Sequence, residues 1–392
     1  MRRENLPALT GIRAAAAFWV LAMHYSDFLF SLFAPARALW PVIRGGYLGV
    51  DLFFVLSGFI LAHNYLDRFR DFRTLDWLSF MKLRFARIYP VHFFTLHIAA
   101  AMAVFSRHTG IPLVAGSLSQ YGFSAWLRNI LLVNGWGANW HTCNSFSWTI
   151  SVEWAMYLVF PLVAFLVVRL RSAEWSLIGA VGILAAFLYG TIFLTAREIL
   201  DTGGGWLALG LFRGLAGTLT GILLQSARRL LRPSRAWGWI STVSALGIVA
   251  IPQFLDVSEF TNGMLLVPLL AVLVLSLSFG LGPVARLLSS RPALWWGGAS
   301  YSLYMTSGLT HMALAVILPW GWISCYGFPA RIAGLIFIGL AVAGITVATY
   351  RWIDLPWRRR LRNLPFLVLS EAPTGPSRSP LGRIVHEKRS GS

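Results

Sequence analysis

Apolar residues along the chain fall in blocks of about 20, the length at which an α-helix spans about 30 Å of hydrocarbon. Only helices and closed barrels satisfy their backbone in lipid, and the blocks lack the alternation of a barrel strand. The pattern therefore predicts an all-α, polytopic membrane protein of about ten transmembrane helices. They are expected near residues 8–29, 47–65, 89–106, 147–169, 176–196, 206–226, 237–254, 262–281, 299–319 and 331–351.

Composition and charge support this class and give it an orientation. Of the 392 residues, 57% are hydrophobic and 12% charged, and the net charge is +18. Soluble proteins average about a quarter charged residues. Arginine concentrates in alternate loops such as "RLRSAE" and "ARRLLRPSRA". Because positive loops stay inside, beside anionic lipid, both termini are predicted to be cytoplasmic, and the charge does not require a nucleic-acid partner.

One membrane domain is expected over residues 1–360, followed by a cytoplasmic tail at 361–392. The tail is rich in Pro, Ser and Gly and is predicted to be disordered. The start lacks a cleavable signal sequence, so the first helix is expected to be a permanent anchor. Residues 107–146 are too polar to cross and are expected to lie in the interface or to re-enter. Cys143 and Cys325 fall in outer loops, either bridged or as separate thiols.

Two polar side chains stand out in the first helix. Arg13 and His24 are 11 residues apart, which places both on one helix face about 16 Å apart along the axis. Polar groups at such depth normally face a protein interior or a watery cavity. Asp27 follows on the same face and could hold the imidazole of His24. The alternative is a snorkelling arginine and a histidine that hydrogen-bonds another helix.

Further charged residues lie at the ends of predicted helices. Arg84 and Arg87 precede Pro90 in "KLRFARIYP". They could be ordinary cytoplasmic charge, or two guanidinium groups that grip the phosphates of an anionic cofactor. Asp51 in "GVDLFFVLSGFI" could bind substrate or cap its helix.

Glu153 lies inside the apolar helix of "SFSWTISVEWAMYLVFP", close to the face of Trp148. A buried carboxylate is costly unless it is neutralised or paired. It could therefore act as a general acid or base, or bond a second helix, for example through Arg213.

The stretch "GGASYSLYMTSGLTH" brings Tyr301, Tyr304 and His311 near one stripe. Tyrosine stripes more often pack than react. The sequence contains no metal-ligand cluster and no phosphate-binding glycine loop.

Taken together, these blocks resemble the acyltransferase 3 family over about residues 5–360. Arg13 and His24 match its R-x10-H pattern, and "GVDLFFVLSGFI" resembles its second helix. Arg84-x-x-Arg87, "SFSWTISVEWAMYLVFPL", "ASYSLYM" and "RWIDLPWRR" match further blocks in the same order. Two departures occur in these blocks. Asp354 stands where Glu is usual, and the place where the family often has a histidine reads Thr306-Ser307. The next histidine is His311, one turn later, so either His311 substitutes or that role is absent.

The resemblance implies a membrane O-acyltransferase of the bacterial inner membrane. Such enzymes move an acyl group, most often acetyl, from acyl-CoA to a hydroxyl of a cell-envelope or exported carbohydrate. Partners implied are the carbohydrate acceptor, membrane lipid and polysaccharide biosynthesis or export machinery, with no metal ion. A transporter or flippase of a glycosylated substrate is the alternative, although no inverted repeat or pair of broken helices is visible.

The family also implies roles for the residues named above. Arg13, Arg84 and Arg87 would hold the phosphates of CoA, and His24 would act as base or acyl relay. Glu153 would be a second base or position the acceptor, and Asp27 would orient His24. The expected substrate-binding residues are Asp51, Trp148, Tyr301, Tyr304 and His311.

Overall fold

The computed structural model describes residues 4–71, 73–111, 121–136, 143–170, 172–196, 205–257, 260–318 and 325–363, and the regular elements in these ranges are helical. The predicted tail lies outside the described residues beyond 363. Short 3₁₀ turns link several helices, and a π-helical turn covers Tyr350–Asp354. The α-helices are α1 (Pro7–His24), α2 (Ser26–Leu32), α3 (Trp40–Ile43), α4 (Leu48–Tyr65), α5 (Thr74–Thr109), α6 (Phe123–Ile130), α7 (Trp148–Val167), α8 (Ala173–Ala196), α9 (Gly205–Arg228), α10 (Arg235–Ala250), α11 (Phe260–Met264), α12 (Val267–Leu277), α13 (Gly282–Leu288), α14 (Arg291–Ile317), α15 (Phe328–Thr349) and α16 (Leu355–Arg362).

Several of these helices are long and apolar enough to cross a membrane. Within the described residues, five helical segments meet that condition, and two bent helix pairs raise the number to seven. The bent pairs are α1 with α2, at 66°, and α11–α12 with α13, at 82°. Helices α9, α10 and α14 lie where three further spans were predicted, but they are not among these segments. The fold is therefore all-helical and polytopic, with five to seven candidate spans.

Two elements differ from the predicted pattern. The first predicted helix, 8–29, is broken at Tyr25 into α1 and α2. The predicted cytoplasmic loop before residue 89 is instead helical, because α5 begins at Thr74 and carries Arg84 and Arg87. Its buried residues Phe80 and Ile88 are eight positions apart, which places both on one face of the helix. Packing of this face therefore stabilises the helix despite its many charged residues.

Glycines allow the central helices to approach closely. A Cβ at Gly58 of α4 would overlap the backbone carbonyl of Thr218 on α9, and one at Gly221 would overlap that of Val55. Gly297 of α14 meets the carbonyl of Thr10 on α1 in the same way. Small residues at such contacts are how membrane helices pack without a hydrophobic driving force. These contacts pack α4 closely against α9 and α14 closely against α1.

Candidate active site

A central cavity lies between α1, α4, α5, α7 and α14. It encloses about 880 Å³ of empty space, part of it open to solvent. The lining consists of Arg13, Val50, Phe53, Phe54, Leu56, Ser57, Ile60, Leu61, Arg84, Arg87, Ile88, Thr149, Ile150, Glu153, Tyr157, Ser300, Tyr301 and Tyr304. Six of the residues singled out from the sequence are therefore brought together here: Arg13, Arg84, Arg87, Glu153, Tyr301 and Tyr304.

Three arginines line this cavity, and each has a buried N–H group that makes no hydrogen bond within the part of the chain that the structure describes. Arg13 Nε, Arg84 Nε and Arg87 Nη1 are buried and have no hydrogen-bond partner among the described residues. Arg84 is oriented by Tyr65, whose hydroxyl accepts from Nη2 at 2.9 Å and whose ring lies 5.0 Å from the guanidinium carbon. Buried N–H groups are almost always paired in native proteins. Arg87 Nη1 lies within ion-pair distance of Asp354, so the two unpaired groups, Arg13 Nε and Arg84 Nε, are the ones that indicate an anionic ligand.

Glu153 is the only acidic residue in the described lining of the cavity. Its Oε1 accepts hydrogen bonds from Ser57 Oγ, at 3.0 Å, and from the hydroxyl of Tyr157. The carboxylate is thus fixed by α4 and by its own helix, and it faces three arginines. This geometry suits a group that positions a polar ligand or exchanges a proton with it.

Arg87 is held by the π-helical turn Tyr350–Asp354 and by α16. Asp354 is 1% exposed, and its Oδ2 lies 3.6 Å from Arg87 Nη1, too far for a hydrogen bond. Its Oδ1 accepts from Arg358 Nε and Nη2, at 3.1 and 2.5 Å. The hydroxyl of Tyr301 donates to the backbone carbonyl of Ile88, beside Arg87. The aspartate of the "RWIDLPWRR" block therefore aligns an arginine of the cavity.

Asp51 and Trp148, both expected near substrate, lie beside the described lining rather than in it. Asp51 accepts two hydrogen bonds from Arg213 of α9, at 3.0 and 2.7 Å, and both side chains are buried. The ring of Trp148 lies 5.7 Å from the guanidinium carbon of Arg213. Arg213 is therefore held by Asp51, whereas the sequence had suggested Glu153 as its partner. The structure favours a helix-joining role for this pair.

His24 ends α1 at the side opposite Arg13, which we call the outer end. It is exposed and lies outside the described cavity lining. Its ring contacts that of Phe146 edge-on, with centroids 4.7 Å apart. Phe146 in turn contacts Tyr304 of the lining at 5.1 Å. One aromatic ring therefore stands between the histidine and the cavity.

Asp27 and His311 form a pair at the same outer end. His311 Nε2 lies 3.2 and 3.1 Å from the two carboxylate oxygens of Asp27. The rings of Tyr25 and Phe28 pack edge-on against His311, each at 5.0 Å. The sequence had paired Asp27 with His24, but the bend after α1 turns the carboxylate towards α14 instead. His24 remains within electrostatic reach of both groups.

Ser57, Tyr65 and Phe146 are residues of this region that sequence reasoning missed. Ser57 is a lone hydroxyl on an otherwise apolar stretch of α4, which is a usable but weak signal. Phe146 carries no such signal, because its position depends on the long-range packing of the segment before α7. Cys143 is buried and Cys325 is exposed, and the structure does not join them in a disulfide.

Comparison with known proteins gives a consistent result. The chain is 24% identical over 326 residues to the peptidoglycan O-acetyltransferase OatA of Listeria monocytogenes, covering 77% of this chain and 49% of that protein. It is 23% identical over 378 residues to the O-acetyltransferase OatA of Staphylococcus aureus, covering 91% and 57%. It is 35% identical over 198 residues to the acyltransferase MdmB of Streptomyces mycarofaciens, covering 48% and 46%.

The chain thus spans about half the length of the curated relatives it matches. No solved structure is significantly similar. The model of the acyltransferase domain matches residues 6–351, nearly the whole chain and all five helices around the central cavity. The resemblance noted in the sequence is thereby confirmed, and the chain belongs to the acyltransferase 3 family.

Proposed function

We propose that this protein is a membrane O-acyltransferase that moves an acyl group, foremost acetyl, from acyl-CoA to a hydroxyl of a cell-envelope or exported carbohydrate. Family membership supports the reaction class. The names of two relatives, peptidoglycan O-acetyltransferase and O-acetyltransferase, support an acetyl group and a carbohydrate acceptor.

The observation that carries the proposal is the charge of the central cavity. Three arginines surround a space whose described lining contains one carboxylate, and two of them, Arg13 and Arg84, have a buried Nε–H without a partner among the described residues. The phosphates of CoA provide the acceptors that such groups lack, and guanidinium groups match phosphate oxygens in a bidentate manner. Arg84 and Arg87 would hold the phosphates, and Arg13 would face the arm that carries the thioester.

In this proposal, His24 acts as the base on the acceptor hydroxyl. Its imidazole would take the proton from the acceptor hydroxyl as the hydroxyl oxygen attacks the thioester carbonyl. The carbon–sulfur bond then breaks, and the imidazolium returns its proton to the thiolate of CoA. Glu153 would position the reacting groups from the cavity side, held by Ser57 and Tyr157. Asp27 and His311 would line the entrance for the acceptor.

The membrane placement follows from the charge pattern. In this proposal the chain crosses a bacterial inner membrane about ten times, with both termini in the cytoplasm. Helices α9, α10 and α14 would add to the five to seven apolar spans. Acyl-CoA is a cytoplasmic metabolite and would enter beside Arg84 and Arg87, whereas the carbohydrate would approach the outer end.

Binding of acetyl-CoA tests this proposal. Purified protein in detergent would be titrated with acetyl-CoA by calorimetry, beside Arg84→Ala and the control Arg169→Ala, a cytoplasmic-side arginine outside the described cavity lining. A charge-assisted hydrogen bond contributes about 1.5–3 kcal/mol, so Arg84→Ala should weaken binding by about 10- to 150-fold. Arg169→Ala should bind as wild type. Absence of binding to folded wild type would remove acetyl-CoA as donor and favour the transporter alternative.

A further inference from the structure

Phe146 occupies the boundary between the central cavity and His24. Its ring contacts His24 on one side at 4.7 Å and Tyr304 on the other at 5.1 Å, both edge-on. Tyr304 lines the cavity, whereas neither His24 nor Phe146 belongs to its described lining. The described ring contacts that lead from the cavity to His24 therefore run through Tyr304 and Phe146.

The backbone of Phe146 is fixed on both sides. Its amide donates to Asn144 Oδ1 at 3.2 Å, and the side-chain amide of Asn144 donates to the carbonyl of Met305 on α14 at 3.0 Å. Its carbonyl accepts from Thr149 Oγ1 at 3.0 Å. The residue is 6% exposed. Only the ring can move without breaking these hydrogen bonds.

A notch in α14 receives that ring. A Cβ at Gly308 would overlap the ring of Phe146. The absence of a side chain at this position therefore lets the ring lie against the helix between Tyr304 and the outer end. A methyl group at Gly308 would push the ring out of the notch and into the passage.

We propose that Phe146 closes the outer end of the central cavity and limits the length of the acyl group that can reach His24. This inference rests on the proposed function, because it assumes a thioester in the cavity and chemistry at His24. An acetyl group places its carbonyl at the edge of the Phe146 ring, and only a methyl group extends beyond that carbonyl. Each added methylene needs space that the ring fills, and hydrophobic pockets discriminate such differences by about 10–200-fold per methylene.

Chain-length selectivity of thioester hydrolysis tests the proposal without a known acceptor. Purified full-length protein in detergent would be given acetyl-, butyryl- or hexanoyl-CoA, with water as acceptor, and released CoA would be quantified by chromatography. Phe146→Ala should raise the ratio of hexanoyl-CoA to acetyl-CoA turnover by about tenfold or more, and Phe146→Leu by less. Gly308→Ala should not raise it. Phe187→Ala, which truncates a buried phenylalanine between α8 and α9, is the matched control and should keep the wild-type ratio.

The outcomes separate this inference from the function on which it rests. If wild type neither binds acetyl-CoA nor releases CoA, the proposed function fails, and this inference fails with it. If wild type turns over acetyl-CoA but folded Phe146→Ala keeps the wild-type ratio, only the role of Phe146 is overturned. Should Phe146→Ala not fold, the unchanged ratio of Phe146→Leu would overturn it equally.

Discussion

Replacing Arg213 by methionine should strongly destabilise the fold, because it leaves Asp51 as an unpaired charge in the protein interior. The carboxylate and guanidinium side chains are only 4% and 7% exposed, and they join α4 to α9 through two hydrogen bonds. Breaking one side of a buried ion pair costs about 3–5 kcal/mol. That corresponds to a decrease of about 160- to 4,700-fold in the ratio of folded to unfolded protein.

The chain provides a matched pair for comparison. Arg229 and Asp67 make the same two-point contact, at 2.8 and 3.0 Å, but their side chains are 31% and 51% exposed. Exposed ion pairs contribute about 0–1 kcal/mol. Arg229→Met should therefore cost little. The double variant Asp51→Leu with Arg213→Met should recover most of the stability, because it removes both buried charges together.

Unfolding by titration with a denaturing detergent measures these differences, and the 18 tryptophans supply the fluorescence signal. The same samples would be assayed for acetyl-CoA turnover below the transition. Equal destabilisation by Arg213→Met and Arg229→Met would refute the burial argument. A loss of turnover without a loss of stability would return Asp51 to the substrate-binding role that the sequence suggested.

Three further outcomes follow from the contacts of the site. Glu153→Gln keeps the size and the hydrogen bonds of the side chain but removes its charge, so it should lower kcat for acetyl transfer while acetyl-CoA still binds; an unchanged kcat would remove Glu153 from the chemistry. Asp354→Asn should raise KM for acetyl-CoA by about tenfold, because the carboxylate that aligns Arg87 is lost, and Asp354→Glu should restore part of the affinity in the same kinetic assay. Gly221→Leu should abolish monodisperse folded protein in size-exclusion chromatography, since no side chain fits between α9 and the carbonyl of Val55.

Sequence reasoning singled out charged residues whose burial is costly without a partner or a ligand. Arg13 and Glu153 attracted attention because each is a charged group in an apolar segment. Arg84 and Arg87 stood out as two closely spaced guanidinium groups that could grip phosphates. The structure brings these four residues together around one cavity. The helical class followed from the length of the apolar blocks. In lipid a backbone must satisfy its own hydrogen bonds, which only helices and closed barrels do.

Pairing between distant segments could not be predicted in the same way. Asp51 and Arg213 are 162 residues apart, and Asp27 and His311 are 284 apart, so the identity of each partner depends on which helices lie side by side. No proline or glycine near Tyr25 indicates the 66° bend in the sequence. That bend takes Asp27 away from the helix face it would share with His24. The local helical pattern therefore paired Asp27 with His24, whereas the structure pairs Asp27 with His311.

Transfer of label from radioactive acetyl-CoA tests the central claim most directly. Purified wild type, His24→Ala and Arg169→Ala would be incubated with labelled acetyl-CoA and peptidoglycan or polysaccharide fragments, and label in the carbohydrate and release of CoA would be measured together. We expect wild type and Arg169→Ala to release CoA and label a carbohydrate, whereas His24→Ala binds acetyl-CoA but transfers nothing. Transfer by His24→Ala at the wild-type rate would contradict the role assigned to this histidine, and failure of folded wild type to use acetyl-CoA would contradict the donor.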